Sequence, residues 1–214
     1  TPYREDNQEI RIEGALGRKL IEVSSSDLIE MGFQCPLNVY VVDVDYVEES
    51  EGYRDAYEKH IIRNWKRNWY IKRFAEDFFA EGMPVWIYVD ELAHGELLES
   101  MIPNSVFVAG GDEGDGEEVS EEEKNYRKAM LDKCERGEQI LITTKWAATG
   151  IDAVKLRVGI LAGSVQSMST IKQAIGRILR CVGKDIEESR ENGKPNAIWI
   201  SFMDEQEHLR KHSN

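Results

Sequence analysis

Short apolar runs, separated by segments of helical length, are the feature that most constrains the fold of this chain. The runs are Leu37–Val44, Val85–Val89, Ser105–Ala109, Gln139–Thr143, Val158–Ala162 and Ala197–Ser201. Continuous apolar runs, rather than alternating ones, are typical of strands that are buried on both faces. Alternation of such strands with helices favours a parallel sheet between two helical layers. The sequence therefore predicts an α/β fold.

The predicted helices lie between these runs and carry recognisable capping residues. Ser24–Asp27 is an N-cap cluster, and Ser120 with Glu123 has the pattern of a capping box. Aromatic and aliphatic residues that recur every four positions predict one long helix over Tyr53–Phe79, with Gly82 as its C-cap. The other helices are expected near Glu91–Met101, Ser120–Arg136 and Ser169–Leu179, with a polar helix at the end of the chain.

Composition narrows the class of protein. The 214 residues suit one α/β domain. A net charge of −13 argues against nucleic-acid binding that depends on an overall positive surface. A local binding surface for nucleic acid remains compatible with that charge. No apolar run reaches transmembrane length, and Thr1–Arg4 lacks the apolar region of a signal peptide. Three well-separated cysteines, Cys35, Cys134 and Cys181, indicate reduced thiols, so we expect a cytoplasmic protein.

Two short sequence motifs near the C-terminal end contain the candidate functional residues. Thr144–Asp152 has the form T-x5-G-x-D, and Gln173–Arg180 has the form Q-x2-G-R-x2-R. Arginine suits phosphate recognition because its guanidinium stays charged and offers a planar fork of donors. If residues 173–180 are helical, Gln173, Arg177 and Arg180 share one face. The alternative is that both arginines are ordinary exposed residues.

In this order the two blocks resemble motifs V and VI of the second RecA-like domain of superfamily 2 DNA helicases and translocases, similar to phage and DNA-repair types. The resemblance implies a RecA-like fold and ATP-driven movement on nucleic acid, with ATP and Mg as cofactors. It implies catalytic roles for Arg177 and Arg180 at the γ-phosphate. It also implies nucleotide contacts from Gly150, Asp152 and Gln173.

The same resemblance implies a nucleic-acid contact at the ends of two strands. Val85–Asp90 resembles motif IV, and Phe107–Gly111 resembles the strand-to-loop element that follows it. The contacting residues would be Gly110, Gly111 and Thr144, with Thr143 and Lys145 as neighbours. Backbone N–H groups and hydroxyls can bind phosphates on an acidic domain. The alternative for Gly110 and Gly111 is a plain turn.

A first motor domain is expected elsewhere in the parent protein. No G-x4-G-K-[ST] phosphate loop is present, and Gly193-Lys194 lacks its spacing. Thr1–Arg4 resembles the residues at and after motif III. The expected organisation is a segment 1–50 that follows motif III, a helical insertion 51–82 and the RecA-like core 83–214. The partners are then DNA, or RNA, and an N-terminal RecA-like domain, and this chain alone should not hydrolyse ATP.

Three further segments leave alternatives open. Asp112–Glu123 is rich in carboxylates and favours a solvated loop over a metal site, and His208 with His212 favours a solvated helix face over metal ligands. Basic residues alternate with aromatic ones over Arg63–Arg73. This segment either binds single-stranded nucleic acid or is a helix whose aromatic residues lie in the core and whose basic face is exposed to solvent. The second alternative is favoured.

Gln173 at the start of the second block, where RNA helicases of the DEAD-box type carry histidine, favours DNA over RNA. Two alternatives to a helicase stay open: a non-catalytic RecA-like binding module and the motor of a restriction enzyme.

Overall fold

The computed structural model describes residues 15, 17, 21, 23–44, 49–110, 120–144, 153–164 and 168–204. Its helices are α1 (Ser25–Glu30), α2 (Tyr53–Tyr57), α3 (Trp65–Ala80), α4 (Leu92–Met101), α5 (Glu121–Glu135), α6 (Met168–Ile178) and α7 (Ile186–Glu191), with a π-helical turn over Glu58–Ile62. Its strands are β1 (Leu37–Val44), β2 (Val85–Tyr88), β3 (Ser105–Val108), β4 (Ile140–Thr143), β5 (Val158–Leu161) and β6 (Ala197–Asp204).

The strands form one six-stranded sheet in the order β1-β6-β5-β2-β4-β3. Every neighbouring pair in it is parallel. The predicted α/β fold is therefore confirmed. Because the strands are parallel, the carboxyl ends of β2, β3, β4 and β5 meet at one edge, which we call the carboxyl edge. Open parallel sheets bind ligands beyond this edge.

Side chains alternate across the sheet and form two core layers. Trp86 of β2 packs in a cluster with Leu131 of α5 and Ile178 of α6. Ile87, the next residue, packs on the opposite face with Ile71 of α3 and Leu98 of α4. This division explains why the strands are apolar throughout, since both faces of each central strand are covered.

The helix starts follow the capping residues in the sequence. Ser24 and Asp27 form the reciprocal hydrogen bonds of a capping box at α1. The Oγ of Ser120 accepts the N–H of Glu123 at the start of α5. Gly82 follows α3 with a φ of 74°, a left-handed conformation that favours glycine.

The prediction of one continuous helix over Tyr53–Phe79 is wrong. The chain makes α2 and the π-helical turn and then stops, and Asn64 starts a new helix by accepting the N–H groups of Lys66 and Arg67. A four-residue spacing also advances by about 40° beyond a full turn at each step, so such a stripe drifts off one helix face.

The expected core role of the aromatic residues is wrong for two of them. Trp65 is 72% exposed and Trp69 is 49% exposed, whereas the buried residues of α3 are Arg67, Asn68, Ile71 and Ala75. The new start at Asn64 thus turns both indoles outward. The expected basic, wet face is also interrupted, because the Arg67 side chain lies in the interior.

Candidate nucleotide and nucleic-acid site

Two of the residues predicted to contact nucleic acid meet at the carboxyl edge. Gly110 follows β3 and Thr144 follows β4, and these strands are neighbours. The Gly110 N–H donates to Thr144 Oγ1 at 2.7 Å. Because that oxygen accepts here, the hydroxyl of the mostly buried Thr144 can still donate its hydrogen to a further acceptor.

Thr143, a predicted neighbour of this contact, lies in the interior instead. Its Oγ1 accepts from Trp86 Nε1 at 2.8 Å, and its side chain is fully buried. The residue therefore fixes the end of β4 rather than facing a ligand. Gly111 and Lys145 lie outside the described residues.

Arg177 and Gln173 lie one turn apart on α6, which places them on one face of the helix. Ala174 and Ile178 on the same helix are buried against the sheet and hold its orientation. The Arg177 side chain is half-buried.

The helix does not extend to Arg180, so the condition under which Gln173, Arg177 and Arg180 share one helix face is not met. α6 ends at Ile178, and Arg180 makes an isolated antiparallel bridge with Gln34. The bridge stops the helix because it requires an extended backbone. Arg180 therefore follows α6 with an exposed side chain, and its position depends on the α1–β1 connection as well as on α6.

A buried lysine that sequence reasoning missed connects the ends of the two blocks. Lys194 is 2% exposed, and its Nζ donates to the carbonyl oxygens of Arg180 and Val154, each at 2.6 Å. Val154 comes two residues after Asp152, the end of the first block. Burial lowers the pKa of Lys194 to about 8. In the sequence, Gly193-Lys194 lacks the spacing of a phosphate loop and does not indicate a buried lysine.

The predicted reduced cysteines are confirmed, and two of them border this lysine. Cys35, Cys134 and Cys181 are all free and buried. Cys35 Sγ lies 3.8 Å from Cys181 Sγ, and Ser189 Oγ donates to the Lys194 carbonyl at 2.8 Å. Burial raises the pKa of Cys181 to about 11, so its thiol is protonated at neutral pH.

A second buried polar cluster fastens α2 and α3 to the carboxyl edge. Arg67 Nε donates to the Ala162 carbonyl at 3.0 Å and Arg67 Nη2 to the Gly163 carbonyl at 3.2 Å, just after β5. Tyr57 Oη donates to Asp90 Oδ2 at 2.8 Å, just after β2. Burial raises the pKa of Asp90, and the Tyr57 hydrogen bond opposes that shift.

Gly163 and His94 also belong to this buried cluster. A Cβ on Gly163 would lie 2.2 Å from Asp90 Oδ2, so a larger residue there would displace the Asp90 carboxylate. His94 Nε2 lies 3.0 Å from Asn68 Oδ1, and burial lowers the pKa of His94 to about 3. The imidazole is therefore neutral and serves packing rather than acid–base chemistry.

Several predicted residues lie outside the described part of the chain. They are Gly150, Asp152, Gly111, His208, His212 and most of the acidic segment Asp112–Glu123. Of that segment, Glu121–Glu123 forms the first turn of α5. Within the described ranges, no group of three or more His, Cys, Asp or Glu side chains could hold a metal ion. Nor does any described helix have the length and apolar character needed to cross a membrane.

Comparison with known proteins agrees with the sequence motifs. The family model of the helicase conserved C-terminal domain matches residues 119–182. The ATP-dependent DNA helicase uvsW of Enterobacteria phage T4 is 27% identical over 177 residues, which cover 78% of this chain. The chain spans about a third of that relative, 34% of its length.

Solved structures support the fold. A fragment of a putative HsdR subunit of a type I restriction enzyme from Vibrio vulnificus YJ016 matches with a TM-score of 0.63 and 22% identity, over 94% of this chain and 38% of the other. S. cerevisiae Dbp5 bound to RNA and ADP BeF3 matches with a TM-score of 0.54 and 14% identity, over 100% of this chain and 46% of the other. The predicted RecA-like fold and the resemblance to the C-terminal domain of superfamily 2 helicases are confirmed.

Proposed function

We propose, from this likeness to superfamily 2 helicase C-terminal domains, that the chain is the second motor domain of an ATP-dependent DNA helicase or translocase. The observation that carries the proposal is that the helicase family match, residues 119–182, contains both blocks, Thr144–Asp152 and Gln173–Arg180. A match to one block alone would leave either the nucleotide contacts or the arginines without support.

In this proposal Arg177 and Arg180 act on ATP held by a first RecA-like domain. Phosphoryl transfer depends mainly on positioning and on stabilising the charge of the transferred group. A half-buried Arg177 on α6 and an exposed Arg180 just beyond it suit that task, because both guanidinium groups stay charged. Lys194 and the Gln34 bridge would keep the Arg180 backbone in place.

Gly150, Asp152 and Gln173 would contact the nucleotide from this side of the cleft, with Asp152 at the ribose hydroxyls. The first domain would hold most of the ATP and the Mg ion. When bound, Mg neutralises charge on the phosphates. This division of roles is consistent with the absence of a phosphate loop in the sequence.

The nucleic acid would lie along the carboxyl edge, at Gly110, Gly111 and Thr144. The Gly110–Thr144 hydrogen bond supports this, because it holds a hydroxyl donor beside a glycine backbone. Such contacts are made to phosphates and carry no base specificity. DNA is favoured over RNA by Gln173, and the name of the T4 relative points the same way.

A second candidate is the motor of a restriction enzyme. The observation that favours it is the likeness to the HsdR fragment over 94% of this chain. Both candidates use the same arginines and the same edge. They differ in whether the protein separates strands or moves along intact duplex, so a strand-displacement assay on the multi-domain protein distinguishes them.

The experiment that tests the proposal measures ATP hydrolysis, with and without DNA, by the protein that joins this chain to a first RecA-like domain. We expect hydrolysis that DNA stimulates and that requires Arg180. DNA-stimulated hydrolysis that persists in the Arg180→Ala protein would contradict the proposed role.

A further inference from the structure

Two tryptophans on one face of α3 are exposed to solvent. Trp65 and Trp69 are four residues apart, and 72% and 49% of their surface is exposed. Trp86 and Trp199, in the sheet, are at most 3% exposed. Exposed indoles of this size forgo a large hydrophobic stabilisation, and paired large apolar residues on a surface indicate a binding site.

The helix that carries this pair is anchored at the carboxyl edge, with the two indoles on its outer side. Arg67, between the two tryptophans in sequence, binds the Ala162 and Gly163 carbonyls that follow β5. The first two turns of α3 are therefore anchored at the edge where Gly110 and Thr144 meet after β3 and β4. A polymer that follows this edge would pass both the start of α3 and the Gly110–Thr144 contact.

The surroundings of the pair are basic in an acidic protein. Residues 53–80 contain four Asp or Glu and seven Lys or Arg, six of these outside the interior and Arg67 buried, although the whole chain has a net charge of −13. Arg63 and Arg73 flank the pair, with 76% and 55% of their side chains exposed. Their ion pairs, with Glu58 and Asp77, are on the surface and therefore weak, so phosphate oxygens can compete for the guanidinium groups.

We propose that Trp65 and Trp69 form a stacking surface for the bases of a single-stranded nucleic acid, with Arg63 and Arg73 beside its phosphates. The proposal rests on the proposed function, which brings the strand to this edge. Aromatic side chains stack on any base, and this contribution needs little net positive charge. A duplex fits less well, because its base faces are already stacked on one another.

The test is binding of a fluorescently labelled oligo-dT strand, followed by anisotropy at low salt, to the 214-residue chain and to the multi-domain protein. Trp65→Ala with Trp69→Ala should weaken binding at least about tenfold, whereas Trp65→Phe with Trp69→Phe should retain most of it. The matched control is Tyr126→Ala, which removes a half-exposed aromatic residue of α5 on the opposite face of the sheet. It should bind like the original chain.

The outcomes separate this proposal from the proposed function. Equal binding by the double alanine variant, with weaker binding by Thr144→Ala, would overturn the stacking surface and leave the edge contact standing. The double alanine variant of the 214-residue chain could instead bind DNA normally but no longer co-sediment with a separate first RecA-like domain. That result would assign the surface to a domain interface and would also overturn the proposal. Absence of single-strand binding by the multi-domain protein would contradict both.

Discussion

The side-chain ammonium of Lys194 donates to the carbonyl oxygen of Arg180 over 2.6 Å, inside the protein. The same nitrogen donates to the Val154 carbonyl, so one side chain ties the end of the second block to the segment after the first. The exposed Arg180 side chain thus extends from a backbone that the interior fixes. This arrangement is suited to an arginine that must meet a phosphate at a defined position.

Lys194→Met should destabilise the fold by about 1–3 kcal/mol, because two buried carbonyls lose their partner. The free energy of unfolding in urea measures this. The control is Lys184→Met, at an exposed lysine of the neighbouring loop, which should change stability little. Equal stability of the two variants would show that Lys194 does not hold the two segments.

The stability contribution of Lys194 should depend on pH. Burial lowers its folded pKa to about 8 from an ordinary value of 10.5. Between these values the unfolded chain binds more protons than the folded one, so this lysine makes stability rise with pH. The cost of burying the charge is fully present below pH 8 and disappears by about pH 10.5. The neutral amine keeps two N–H donors, so both carbonyl bonds can persist.

The measurement is unfolding of the original chain and of Lys194→Met across this range. Because other groups titrate in both proteins, the informative quantity is the difference between their free energies of unfolding. That difference should grow in favour of the original chain above pH 8. A constant difference would show that the lysine has an ordinary pKa.

The strands and most helix ends could be predicted from the sequence because their causes are local. β1 has the predicted bounds, and the predicted α6 differs from the observed one by a residue at each end. The break before α3 was missed because a single side chain, Asn64, sets it. Lys194 was missed because its partners are backbone carbonyls 40 and 14 residues away, which no sequence pattern marks. The exposure of Trp65 depends on that same break.

Thr144→Ala should weaken binding of single-stranded DNA by about fivefold, the effect of losing one hydrogen bond of about 1 kcal/mol. The variant removes both the acceptor of the Gly110 N–H and the hydroxyl donor. Thr144→Ser keeps both and is the control, with near-original affinity expected. Anisotropy with a labelled strand at several salt concentrations should also show a shallow salt dependence, because few phosphates are neutralised.

The 214-residue chain alone should not hydrolyse ATP, with or without nucleic acid. It lacks the phosphate-loop lysine that would hold the phosphates. Phosphate release from the purified chain is the assay, and the multi-domain protein is the positive control. Robust, DNA-stimulated hydrolysis by the chain alone would contradict its assignment as a second motor domain.

In the proposed function, Arg180 stabilises charge on ATP bound by a first RecA-like domain. The most direct measurement is the kcat of DNA-stimulated ATP hydrolysis by the multi-domain protein with Arg180→Ala. Arg190→Ala, which removes an exposed arginine of α7, is the control. We expect kcat to fall by about 10³-fold for Arg180→Ala, with unchanged fold stability and with normal turnover in the control. Turnover of the Arg180→Ala protein at the original rate would show that Arg180 does not act on the bound ATP.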